Sequence, residues 1–141
     1  MAVKPSAYVL DSFALLAYLE GEAGMSRIQT LLKGVEEGEH TLYVSLINLG
    51  EVLYITEREN GLVQAQQALA ALDQLPLQFV PVSRATVLVA AHIKAHYAVA
   101  YADAFAVATA QDYNGVLVTG DPEIQTVADA GIITVEWLPR R

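Results

Sequence analysis

A chain of 141 residues that is 54% hydrophobic and 17% charged is long enough for one domain with a substantial core and too apolar to stay disordered. Asp and Glu outnumber Lys and Arg by 16 to 8, for a formal charge of −8, which argues against the broad basic stripe of a general nucleic-acid binder. Cysteine is absent, excluding disulfides, thiolate metal sites and cysteine nucleophiles and suiting a reducing cytoplasm.

Short apolar runs alternate with helical patterns, which predicts an α/β sheet with helices on its faces. A first strand is expected at 7–10, followed by a helix over about 12–20 that Gly21 and Gly24 break. An amphipathic helix follows over about 25–37, with Ile28, Leu31, Leu32 and Val35 at helical spacing. "TLYVS" (41–45) reads as a strand and 46–59 as a helix stopped by Asn60-Gly61. Further helices are expected at 62–75 and 83–97, around a strand in "LQFVPV". The Ala-rich stretch 102–112 is helical by the same reasoning. "GVLVT" (115–119) has no polar alternation, as a strand buried on both faces should. "GIITVEW" supplies the last strand. No apolar run approaches the ~20 residues of a membrane span, and Asp11 interrupts the first apolar stretch, against a secretory leader. The expectation is one soluble, cytoplasmic domain.

Parallel strands end along one edge of a sheet, and in open α/β folds ligands bind at that edge. Asp11 follows the first strand, and Asp121 follows 115–119 by one glycine. If those strands are parallel neighbours, the two carboxylates converge. Glu51 shares a helical face with Ile47, Tyr54 and Ile55, and Asp103 shares one with Ala106, Val107 and Ala110. Both acids therefore sit on stripes expected to turn inward, where a charge needs a partner or a metal. Simpler roles exist for each acid. Asp121-Pro122-Glu123 is a strong helix start, Asp11 could share capping with Ser12, Asp103 suits a helix N-terminus, and Glu51 could pair with Arg58. Their joint placement favours a cluster. Crowded carboxylates repel unless a cation joins them, and an all-oxygen set suits Mg²⁺ or Mn²⁺ rather than zinc. Such an ion also lets an acidic protein hold an acidic phosphodiester.

These segments resemble a PIN domain, and are most similar to the VapC-type ribonuclease toxins of bacterial and archaeal toxin–antitoxin pairs. The resemblance covers nearly the whole chain. Its carriers are "YVLDSFALLAYL" with Asp11, "VSLINLGEVLY" with Glu51, "YADAFAVATA" with Asp103 and "GVLVTGDPEI" with Asp121. It implies a single PIN domain, a small parallel sheet sandwiched between helices. It also implies hydrolysis of single-stranded or looped RNA by a metal-activated water. Asp11, Glu51, Asp103 and Asp121 would hold one or two Mg²⁺ or Mn²⁺ ions, and Ser12, Asn48 and Thr119 would orient those carboxylates. The resemblance further implies a homodimer silenced by a small VapB-like antitoxin that occupies the active-site groove. Lys4, Arg27, Lys33, Arg58 and Arg84 are candidates to grip RNA, and Asp112, late in its helix, reads as solvated.

Other chemistries fit less well. His92 and His96 have zinc-pair spacing but lack the glutamate of H-E-x-x-H and a third ligand. Neither a G-x-G-x-x-G nor a P-loop is present, and "GMSRI" is no nucleophile elbow. A dehalogenase-like phosphatase would need an Asp where Phe13 stands. A response-regulator receiver would need a late lysine, and none follows Lys94. The non-enzyme alternative is a catalytically silent PIN-like interaction module, its acids serving only as caps.

Overall fold

The computed structural model describes residues 4–139. Five strands form one parallel sheet: β1 (Ala7–Leu10), β2 (Thr41–Ser45), β3 (Leu77–Val80), β4 (Val116–Thr119) and β5 (Thr134–Trp137), in the order β3-β2-β1-β4-β5. β1 is central, pairing Val9 with Tyr43 of β2 on one side and with Leu117 of β4 on the other. All four of its residues are buried, which explains the lack of polar alternation.

The two-residue period of the strands sorts the core into two layers. Tyr8, Leu10, Leu42, Val44 and Val118 face α1 (Ser12–Leu19), α2 (Met25–Glu36), α3 (Leu46–Asn60) and α4 (Leu62–Asp73). Val9 and Leu117 face α5 (Arg84–His96), α6 (Tyr101–Asp112) and α7 (Gln125–Asp129). The expected parallel α/β sandwich is therefore the fold. Among the described residues no helix is long and apolar enough to cross a membrane.

Polar side chains set the helix starts. Asp11 accepts from the Ala14 amide (2.9 Å), Ser45 from Ile47 (3.2 Å) and Ser83 from Thr86 (3.1 Å), each satisfying an otherwise orphaned N–H. Gly61, at φ +93°, lets α3 stop and α4 begin with no intervening loop. Three boundaries fall short of the expected ones by two or more residues: α4 ends at Asp73, the strand in "LQFVPV" stops at Val80, before Pro81, and β5 starts only at Thr134.

Gly120, between β4 and the loop that follows, lies under the Phe13 ring. A methyl group there would sit 2.3 Å from Cε1 and 2.5 Å from Cζ of that ring. Gly120→Ala must therefore push Phe13 out of its packing against the α1–α2 layer, an overpacking cost of about 1–3 kcal/mol. Urea unfolding of the variant is expected to show that loss of stability at an unchanged m-value.

Candidate metal centre

The strand order reverses at β1: the chain leaves it toward β2 and β3, then returns to its other side for β4 and β5. In parallel sheets the crevice outside the strands' C-terminal ends at such a reversal is where ligands bind. β1 runs into Asp11 and β4 into Thr119-Gly120-Asp121.

Asp11 is buried at the N-cap of α1. One carboxylate oxygen caps the helix, and the other accepts a short hydrogen bond from the Thr119 hydroxyl. The same hydroxyl oxygen accepts from the Asp121 amide at 3.0 Å. Thr119 thus ties the two acids together across the strand reversal. Asp121 in turn accepts from the Glu123 amide at 2.9 Å, opening the 3₁₀ turn Pro122–Ile124 that precedes α7. Capping and clustering coincide at Asp11 and Asp121.

Asp103 lies in the first turn of α6, whose residues Asp103–Ala110 are all buried. Asn48, buried in α3, donates from Nδ2 to the Ser12 hydroxyl (3.2 Å) and to the Ala102 carbonyl (3.1 Å). It thereby joins α3 to the residues beside Asp11 and Asp103. Its Oδ1 is buried and has no hydrogen-bond partner among the described residues. The sequence-predicted set Ser12, Asn48 and Thr119 is thus found bridging the elements that carry the carboxylates.

Carboxylate oxygens of Asp103, Asp121 and Glu123 come within 4.8 Å of one another. Glu123 is an addition: its place in the first turn after Asp121-Pro122 reads as a helix-start acid, and only the loop geometry folds it back to Asp103. Glu51 differs from expectation. It is half-buried, with its carboxylate accepting from the Tyr54 hydroxyl at 3.4 Å, and Tyr54 is 50% exposed. The buried positions of α3 are Asn48 and Val52, so the inward stripe lies one residue away from the one drawn through Ile47, Glu51, Tyr54 and Ile55.

Burial pushes the Asp103 carboxyl up to about 8, helped by the charges of Asp121, Asp11, Glu51 and Glu123. Burial likewise raises Asp11 to about 7, against the lowering effect of its bonds from Thr119 and Ala14 and with further upward pressure from Asp121 and Glu51. Glu51 therefore remains within electrostatic reach of the group. Such a set, all oxygen and short of positive charge, fits a hard divalent cation. Asp112 is exposed, as expected. His92 and His96 are exposed and their contact is local, with His96 Nδ1 2.9 Å from the His92 carbonyl.

The PIN domain family model matches residues 8–130. The chain belongs to the PIN domain family. Solved structures carry the same fold at low sequence identity. A chain of the VapBC2 complex of Rickettsia felis, bound to a promoter DNA fragment, is similar at TM-score 0.74 and 16% identity, covering 94% of this chain and 99% of that one. DNA-bound VapBC from Salmonella typhimurium gives 0.71 and 16%, covering 92% and 96%. VapC20 of Mycobacterium tuberculosis, a Sarcin-Ricin loop cleaving toxin, gives 0.65 and 17%, covering 85% and 94%. Comparison with curated protein sequences gives no match. In this PIN domain the acid cluster lies where the fold's strand reversal puts it.

Proposed function

We propose that this PIN domain is a metal-dependent endoribonuclease, the toxin of a VapBC-type pair, hydrolysing RNA phosphodiester bonds. The observation that carries the reading is Asp103, buried in the first turn of α6 with a carboxylate oxygen within 4.8 Å of those of Asp121 and Glu123 at the strand reversal. Asp11, Glu51, Asp103 and Asp121 would hold Mg²⁺ or Mn²⁺, with Glu123 beside them. When bound, such an ion neutralises phosphate charge and lowers the pKa of a water. Thr119 fixes the Asp11 carboxylate by donating to it, and Asn48 and Ser12 fix the approach of α3 and α6. A cytoplasmic setting, a VapB-like antitoxin partner and a homodimer complete the proposal, supported by likeness in fold to chains of VapBC complexes.

A thermal melt with and without Mn²⁺, for wild type and Asp121→Asn, tests the site. At a hundredfold excess over its dissociation constant the ion should stabilise wild type by about 2.7 kcal/mol. The Asp121→Asn melt is expected not to shift, and RNA cleavage should require the same ion. The silent-module alternative draws on the capping roles of Asp11 and Asp121. It predicts no Mn²⁺ shift in either protein, and that outcome would overturn the nuclease reading.

A further inference from the structure

An acidic enzyme acting on RNA needs a way to hold a strand that does not depend on a basic surface. Stacking of bases on aromatic rings is one, because it is indifferent to charge and tolerant of sequence. We infer that Tyr54 is the stacking platform for a nucleobase next to the cleaved phosphate, and that Arg58 pairs with the neighbouring backbone phosphate. This rests on the ribonuclease reading above and adds the residues that grip the strand.

Four observations carry it. Leu46, Gly50, Tyr54 and Arg58 recur at four-residue spacing along α3, and all four are exposed, so they form one outer row. That row adjoins the acid pocket, since the Tyr54 hydroxyl donates to Glu51 and the charge of Glu51 is felt at Asp11 and Asp103. The Arg58 guanidinium lies 5.1 Å from the centre of the Tyr54 ring. Within 4.0 Å, the ion pair found among the described residues is Arg27–Glu136, so Arg58 has no carboxylate partner there. Arg27 is already spent on Glu136, at 2.6 and 2.9 Å, and Lys94 donates to the Val99 carbonyl. Among the candidate cations, Arg58 is thus the one coupled to an exposed ring at the pocket's edge.

Gly50 is the fourth observation. A β-carbon there would meet nothing within 4 Å, and its backbone is not in the left-handed region. The chain's own packing has no need of glycine at a site where it costs helix stability relative to alanine. A bare stretch of helix between Leu46 and Tyr54, one residue from Glu51, is what close approach of an external strand would use.

Total bacterial RNA, cut in Mn²⁺ and mapped at its new ends over a range of RNA concentrations, tests the inference. Tyr54→Ala should raise KM by about tenfold with kcat little changed, in the range expected for losing one stacked base. Tyr54→Phe, which keeps the ring, should recover most of that loss. Arg58→Gln should raise KM less and lower its salt dependence by a slope of about 0.7, the share of one phosphate on a single strand. Gly50→Ala should raise Tm by a few degrees while raising KM, a combination that no purely structural role produces. The Mn²⁺ melt shift should persist in all four variants, showing the acid pocket intact. The inference is overturned if wild type cuts RNA and Tyr54→Ala does so with an unchanged KM. It is equally overturned if Phe behaves like Ala, or if the changes weaken only binding of a partner helix. Wild type that cuts no RNA, even with a Mn²⁺ shift, would instead remove the ribonuclease reading beneath it.

Discussion

Asp103→Asn is expected to lower Mn²⁺-dependent RNA cleavage by about 10³-fold, the rate equivalent of ~4 kcal/mol of lost charge stabilisation, while making the metal-free protein more stable at pH 8. The second half follows from linkage. Burial raises Asp103 to about 8 in the folded state, against an ordinary aspartate value of 3.8, and Asp11 to about 7 from the same 3.8. Between about pH 4 and pH 8 the native state holds protons that the unfolded chain has released, so stability falls as pH rises through that window. In EDTA, wild type should therefore unfold more readily at pH 8 than at pH 5. Asn mimics the protonated form, so the substitution should stabilise the metal-free protein at both pH values, and by clearly more at pH 8 than at pH 5. Excess Mn²⁺ should reverse the order, because ion binding requires the ionised carboxylates. Urea titrations at both pH values, with EDTA and with Mn²⁺, measure all of this. An Asp103→Asn protein that still cuts RNA in Mn²⁺ would sink the site.

Thr119→Val should produce the next largest effect. The side chain is fully buried, and its single hydroxyl donates to Asp11 and accepts from the Asp121 amide. Valine matches its shape and removes both bonds, leaving one Asp11 oxygen and one amide without that partner. The expected loss is about 1–3 kcal/mol of stability and a 10–100-fold fall in cleavage, typical of removing a group that orients a metal-binding carboxylate. Thr119→Ser, which keeps the hydroxyl, should retain most of the activity. Wild-type cleavage rates in the valine variant would mean that the Asp11–Thr119–Asp121 chain of bonds plays no part in the chemistry.

Much of this architecture is legible in the sequence because local and global signals agree. The apolar runs of β1 and β4 lack polar alternation and are buried on both faces, and Gly61 stops α3 where Asn60-Gly61 predicts. Asp11, Asp103 and Asp121 are found by asking why acids stand at strand ends and among alanines. The rest depends on rotations and turns that no local pattern fixes. In α3 the polar Asn48 occupies a fully buried position, so a stripe drawn by hydrophobicity alone passes through Glu51 and misses the true inward face by one residue. Glu123 looks like a solvated first-turn acid, and only the 3₁₀ turn after Pro122 brings its carboxylate to Asp103. Ser12, Asn48 and Thr119 carry no chemical signature of their own; what they bond becomes visible once α1, α3 and β4 are in place.

The hydrogen bond from Thr119 to Asp11 spans 108 positions of the chain, and β4, which carries Thr119, pairs directly at the centre of the sheet with β1, which Asp11 follows. During synthesis, Asp11, Glu51 and Asp103 all emerge before β4 exists to seat them. A truncated or stalled product lacking β4 has neither the central strand pairing nor Asp121. For a chain proposed to destroy RNA, the proposed site is thus completed only once β4 and Asp121 have been made.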